Sequence, residues 1–288
     1  MRRTFFNLIL SAFLLAPAAA FSCPLIDGLV DSNCDGVLKI GFAGDSFVKG
    51  VGDRSELGGG YVSRIAELYP NAVIVKYPQP GIASGILLSR LIRKVPRMAS
   101  GPADRDLHDT DVLIIDVGRN DYWEDRNPPN TVGNIRRIVK FLTAALANNG
   151  QTPPVIAVTM LAPTNRAFQA PFISAVDSLL VKQRSASLPA YVRADLLRNS
   201  LISRDGLHPN ALGYADLAQI IKTYLETKGL SRARAICRDN DNDGIFDKFE
   251  ASKFGTNPAL ADTDSDGYND GDEVFTHDTD PTDPNSHP

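Results

Sequence analysis

Val112-Leu113-Ile114-Ile115-Asp116-Val117 runs directly into Gly118-Arg119-Asn120-Asp121. Six apolar or nearly apolar residues ended by a glycine suit a β-strand covered on both faces. Working outward, apolar runs alternate with helical patterns. Toward the N-terminus, 37–43 and 72–76 read as strands. Residues 60–69 read as a helix with Tyr61, Ile65 and Leu68 in step, and 82–95 as another carrying Ile82, Ile86, Leu87 and Leu91. Toward the C-terminus, 131–147 reads as a helix, 155–161 as a strand behind Pro153-Pro154, 168–184 as a helix, the region of Tyr191-Val192 as a short fifth strand, and 210–225 as the last helix. Strands that alternate with helices imply a parallel sheet with helices on both faces. Chemistry in such sheets gathers at the carboxyl ends of the strands.

Four short blocks fall in those places. After the first strand comes Gly44-Asp45-Ser46. By itself that tripeptide is a common turn, and Gly-x-Ser-x-Gly is absent from the chain. After the second strand comes Gly81, a turn glycine leading into a helix or a backbone N–H aimed at an anion. After the third comes Gly118-Arg119-Asn120, whose Asn120 either caps the next turn or offers its amide to an oxyanion. Before the last helix comes Asp205-Gly206-Leu207-His208. There an acid three residues ahead of a histidine can accept its Nδ1–H and leave Nε2 free for a serine proton. The remaining histidines, His108, His277 and His287, have polar settings without such a partner.

Taken in order, these blocks resemble the Ser, Gly, Asn and His blocks of SGNH (GDSL-type) hydrolases, and 205–214 is especially similar to that family's last block. The resemblance spans roughly 37–228. It implies a flavodoxin-like three-layer α/β/α fold with a five-stranded parallel sheet. It also implies a serine esterase with Ser46 as nucleophile, His208 as base, Asp205 as its orienting acid, and Ser46, Gly81 and Asn120 as oxyanion donors. Catalysis of this kind needs no cofactor. One departure is Gln79, which stands where the family often has asparagine, with Pro80 between it and Gly81. Carbohydrate acetyl esters, short acyl esters and lysophospholipids all remain open as substrates. Tyr122 and Trp123 either line a sugar or acyl site or pack within their loop.

The tail is different in kind. From Asp239 onward, 14 acidic residues stand against two lysines, whereas the whole chain carries only −4. Asp239, Asp241, Asp243, Asp247 and Glu250 occupy positions 1, 3, 5, 9 and 12 of a loop with Gly244 at position 6. Asp262, Asp264, Asp266, Asp270 and Glu273 repeat the pattern with Gly267. Ca²⁺ takes six to eight oxygens, the glycine makes the sharp turn, and Ile245 and Tyr268 at position 7 would give backbone carbonyls. No helix precedes the second loop, so the tail resembles bacterial thrombospondin type 3 repeats more than paired EF-hands. That resemblance implies structural Ca²⁺, order that depends on it, and contact with a cell surface or matrix. A shorter acidic stretch, Asp31-Ser32-Asn33-Cys34-Asp35-Gly36, lacks acids at positions 9 and 12 and reads as a turn.

Residues 1–20 have a basic start, an apolar stretch too short to span a bilayer, and a small-x-small end at Ala18 and Ala20. They read as a bacterial signal peptide, exported by the general or the twin-arginine route. Expected boundaries are therefore signal peptide 1–20, N-terminal segment 21–36, hydrolase domain 37–236 and calcium-binding repeats 237–288. The mature protein is expected to be secreted, periplasmic or at the cell surface, without a transmembrane segment. Cys23, Cys34 and Cys237 are odd in number, so one stays over whether Cys34 pairs with Cys23 or Cys237. No Cys-x-x-Cys exists to make a zinc ribbon. Basic residues such as Arg136-Arg137 are scattered along the chain, which argues against nucleic-acid binding. The competing reading is a calcium-dependent surface-binding protein with an inactive hydrolase core. Against it stands the complete set of Ser46, Gly81, Asn120, Asp205 and His208.

Overall fold

The strand read over 112–117, which the structure places at Val112–Asp116, lies at the centre of a five-stranded sheet. The computed structural model describes residues 21–22, 25–33, 35–146, 154–182, 191–230, 236–237 and 239–287. Residues 1–20, Cys23 and Cys34, and with them the signal peptide and the disulfide expectations, lie outside the described residues. The sheet strands are β1 (Lys39–Gly44), β2 (Val73–Pro78), β3 (Val112–Asp116), β4 (Val155–Thr159) and β5 (Tyr191–Val192), all parallel and ordered β2-β1-β3-β4-β5. This is the flavodoxin-like order, with its topological switch between β1 and β3. Every residue of β3 is buried, as its composition requires, and that includes Asp116.

The helices are α1 (Ser46–Lys49), α2 (Gly60–Leu68), α3 (Ser84–Lys94), α4 (Asp121–Glu124), α5 (Pro128–Ala145), α6 (Ala170–Lys182) and α7 (Ala211–Tyr224). Helix α5 starts three residues ahead of its periodic pattern. Asn127 accepts the Asn130 N–H as its cap, and Pro128 and Pro129 fill the first turn, where a missing N–H costs nothing. Helices α3, α5 and α6 supply Leu87, Leu91, Ile135, Ile138, Leu142, Val176 and Leu180 to the core on one face of the sheet. Asp111, just before β3, accepts the backbone N–H groups of Ser32, Asn33 and Lys39, and so holds the 31–36 turn against the sheet. No helix among the described residues is long and apolar enough to cross a membrane.

The chain divides into two compact units, Ser22–Cys237 and the repeat segment Arg238–Pro288. In the second, each acidic loop closes in a short helical segment, Asp247–Phe249 running on into Glu250–Phe254 and Asp270–Asp272 into Glu273–His277. Gly271 lies so close to the Asp243 carbonyl that a Cβ there would collide with it.

Candidate active site and metal loops

At the carboxyl end of β1 the chain runs close beside the end of β3. A Cβ at Gly44 would run into the Asp116 carbonyl oxygen, so only glycine fits. Asp45 then donates its N–H to that oxygen at 3.1 Å, and its own carboxylate accepts the Phe47 N–H at 3.0 Å. This caps α1 and presents Ser46 at its first position. Ser46 retains 6% exposure.

The loop before α7 folds back on itself. Ser203 N–H bonds the His208 carbonyl at 2.7 Å, Asn210 N–H bonds Leu201 at 2.8 Å, and Gly206 turns the chain at φ +76°. This sets His208 Nε2 at 2.8 Å from Ser46 Oγ, and Nδ1 at 2.6 Å from Asp205 Oδ2. The other Asp205 oxygen accepts from the Leu207 and His208 N–H groups and the Ser203 hydroxyl. Partial burial raises the Asp205 carboxyl, but the His208 ring and these donors together outweigh it and hold it well below the usual carboxylate range. Asn210 accepts the Gly213 N–H and starts α7.

Gly81 is not in the first turn of a helix, because α3 begins three residues later. It sits instead in a turn closed by Ile82 N–H to Gln79 O at 3.1 Å, with φ +76°. Pro80 and Gly81 are the two central residues, the order that a type II turn favours. Asn120 makes no cap to α4. Its Nδ2 donates to Ile82 O at 3.1 Å and lies 3.4 Å from Asp45 Oδ2, so the amide is tied to the Gly81 turn on one side and faces the nucleophile turn on the other. Asp121, beside it, accepts both the N–H and the hydroxyl of Ser84 at the start of α3.

The sequence reading missed the network beneath the serine. Arg119 is fully buried. Its guanidinium contacts both Asp45 oxygens and Asp116 Oδ1, all at 2.8 Å, and stacks 3.6 Å from the Phe47 ring centre. Tyr61 and Thr159 hydroxyls donate to Asp116, and the Gln169 amide to the Arg119 carbonyl. The available signal was Asp116, an acid inside an otherwise apolar strand, which demanded a buried partner. Of the two aromatics beyond Asn120, Tyr122 packs on Phe172, while Trp123 is 57% exposed beside Phe168.

In the repeat segment, Asp239, Asp241 and Asp243 offer oxygens within 4.8 Å of one another, as do Asp262, Asp264 and Asp266. Buried oxygens of Asp241, Asp243 and Glu250, and of Asp264, Asp266 and Glu273, have no hydrogen-bond partner among the described residues. Glu250 and Glu273 are both fully buried. Clustered, desolvated carboxylates without donors are unstable unless a cation neutralises them, and an all-oxygen set of this kind fits Ca²⁺. Asp247 and Asp270 at position 9 are already engaged. Asp247 accepts from the Asn240 N–H and amide, and Asp270 from the Thr263 N–H and hydroxyl. Asp270 also offers an oxygen to the first loop, within 4.8 Å of Asp243 and Glu250. Ile245 and Tyr268 donate their N–H groups to Asp243 and Asp266, which fixes the backbone where carbonyl ligands were expected.

The model of the GDSL-like Lipase/Acylhydrolase family matches residues 42–215, and that of the bacterial TSP3 repeat matches 239–261 and 262–284. Among solved structures, the lipase Lip_vut3 from a goat rumen metagenome has a TM-score of 0.54 at 17% identity, covering 68% of this chain and 100% of its own. The lipase/acylhydrolase from Enterococcus faecalis has a TM-score of 0.52 at 15% identity, covering 69% and 100%. A carbohydrate esterase family 3 structure from Talaromyces cellulolyticus has a TM-score of 0.50 at 19% identity, covering 66% and 96%. At these identities the likeness is one of fold. No curated protein matches the chain.

Proposed function

The chain belongs to the GDSL-like lipase/acylhydrolase family and is a carboxylic ester hydrolase, and from that premise we propose that Ser46, His208 and Asp205 are its catalytic triad. The observation that carries this is the unbroken line from Ser46 Oγ to His208 Nε2 at 2.8 Å and from Nδ1 to Asp205 at 2.6 Å. With Nδ1–H donated to Asp205, the Nε2 lone pair takes the serine proton as Oγ attacks the ester carbon. The carbonyl π pair moves to oxygen. The N–H groups of Ser46 and Gly81 and the Asn120 amide receive that oxyanion, with Asn120 exchanging its long contact to Asp45 for the substrate. Collapse expels the alkoxide, which takes the proton back from Nε2. Water then repeats the sequence on the acyl-enzyme. Asp205 is held ionised by its donors, so it balances the imidazolium in both halves.

Carbohydrate acetyl esters and short acyl or lysophospholipid esters are the substrates in view, and the enzyme acts outside the cytoplasm after removal of residues 1–20. In the repeats, Asp239, Asp241, Asp243 and Glu250, and Asp262, Asp264, Asp266 and Glu273, would hold Ca²⁺. The ion would supply positive charge that lets these loops stay folded, and no part of the ester chemistry. The acidic repeats are suited to calcium-dependent contact with a surface or matrix.

Hydrolysis of p-nitrophenyl acetate, butyrate and octanoate by the full chain, beside Ser46→Ala, tests the assignment. Turnover is expected in the wild type and only a trace in the folded variant. Near-equal rates would remove Ser46 as nucleophile.

A further inference from the structure

Five cationic side chains, Arg90, Arg93, Lys94, Arg97 and Arg105, line one groove of about 450 Å³. They come from the second half of α3, the 3₁₀ turn Val95–Ser100 that continues it, and the 3₁₀ turn Ala103–Arg105. Arg90, Arg93, Lys94 and Arg97 recur at steps of three and four residues and so share one helical face. All five are exposed. Among the described residues, every ion pair uses other side chains. No acid lines the groove, and nearby Asp106 is taken by His108, whose Nδ1 lies 2.6 Å from Asp106 Oδ1, so that, against the sequence expectation, this histidine does have an acidic partner. The helix dipole welcomes Arg93 and Lys94 in the last turn of α3. It gives no reason for Arg90, Arg97 and Arg105 to converge on the same concavity. Like charges gathered in a cleft repel one another and focus a positive potential, an arrangement that an anion relieves.

The groove also has a direction. Its other wall is Tyr77 and Gln79, at the end of β2. Arg90 donates to the Gln79 side-chain carbonyl, and Gln79 opens the turn that carries Gly81. A row of guanidinium groups therefore starts beside the oxyanion turn and leads away from it. We infer that this groove is a subsite for the uronate carboxylates of an O-acetylated acidic polysaccharide. The inference rests on the esterase reading of Ser46. Guanidinium groups pair carboxylates through two parallel hydrogen bonds. Successive turns of the helix present them about 5 Å apart, a spacing suited to a polymer with a charge on each residue. A lysophospholipid has one phosphate and would leave most of the row unmatched. Exposed Trp123, paired with Phe168 at 5.7 Å, adds an aromatic surface beyond Asn120 for the apolar face of a sugar.

The test compares kcat/KM on O-acetylated polygalacturonate with that on O-acetylated xylan, at fixed calcium, for wild type and Arg93→Gln/Arg97→Gln/Arg105→Gln. The expected result is an acidic-over-neutral ratio that falls about tenfold in the variant, and likewise in wild type at high ionic strength, chiefly through KM. A matching thermal melt establishes that the variant is folded. A ratio unmoved by both variant and salt overturns the inference. If wild type hydrolyses no p-nitrophenyl ester, the esterase reading fails by itself. The groove is then judged by retardation of the chain in gels containing unacetylated polygalacturonate. Retardation that the triple variant loses upholds the groove, and its absence in wild type overturns it.

Discussion

The guanidinium of Arg119 grips both carboxylate oxygens of Asp45 at 2.8 Å, one residue before Ser46, with both side chains fully buried. The same group reaches Asp116, so the nucleophile turn is fixed from beneath by a charge cluster that water does not reach. Arg119→Met leaves two buried carboxylates without their cation and is expected to cost about 3–5 kcal/mol in urea unfolding. Arg119→Lys keeps the charge but loses the fork. It should recover part of that stability while kcat stays depressed about tenfold or more, since a displaced nucleophile loses its attack geometry. Wild-type stability and kcat in both variants would show that the clamp is dispensable.

Asn120 has two tasks that kinetics and melting separate. If its amide serves the oxyanion, Asn120→Ala lowers kcat on p-nitrophenyl acetate by about 10²–10³ with KM little changed. Its bond to Ile82 O is a single contact at 3.1 Å, so the melting temperature should move only slightly. A large drop in stability with kcat preserved would reduce Asn120 to a tie for the Gly81 turn.

Asp177 on α6 is buried and accepts the Leu161 N–H at 2.8 Å. Burial pushes its carboxyl up to about 7 against the pull of that hydrogen bond. An unfolded aspartate titrates at about 3.9. Between these values the folded chain keeps a proton that the unfolded chain has released. Its contribution is therefore fully present below about pH 4 and is lost as pH rises through about 7. Asp177→Asn keeps an acceptor and never ionises. Relative to wild type it should gain about 2–4 kcal/mol on going from about pH 4 to about pH 8. The measurement is urea unfolding at both pH values, and an equal difference at each would refute the account.

Gly271 gives the two repeats their close approach. Gly271→Ala drives a methyl group into the Asp243 carbonyl, and the backbone must move. Overpacking of this kind costs about 1–3 kcal/mol, which calorimetric titration should read as a loss of calcium affinity of about tenfold. The neighbouring Asp270 oxygen would be drawn off the first loop by the same shift. Unaltered affinity would mean that the repeats fold independently of this contact.

What the sequence disclosed and what it concealed divide along a physical line. Ser46, Gly81 and the Asp205–His208 pair were legible because each sits in a turn whose geometry is set by residues next to it. The alternation of strands and helices was legible because burial on both faces leaves an apolar run such as 112–117. Arg119 was not, since its meaning depends on Asp45, 74 residues away. The basic groove was not, although Arg90, Arg93, Lys94 and Arg97 stand within eight residues, because nothing in the chain order shows that Arg105 and the end of β2 close a concavity over them. Tyr122 and Trp123 are adjacent yet opposite in exposure, a distinction that only the packing of Phe172 and Phe168 makes.

The two borders of the sheet have a consequence for the fate of the chain. Among the described residues, the sheet ends on one side at a strand of two residues, Tyr191–Val192. On the other, β2 ends in Pro78, which has no N–H to lend, and the turn Ala103–Arg105 packs against it. An open, flat border is a template on which unfolded neighbours can polymerise. A fold that trims one border to a stub and covers the other offers little such template, so aggregation of this protein should begin from loss of the fold and not from the native state.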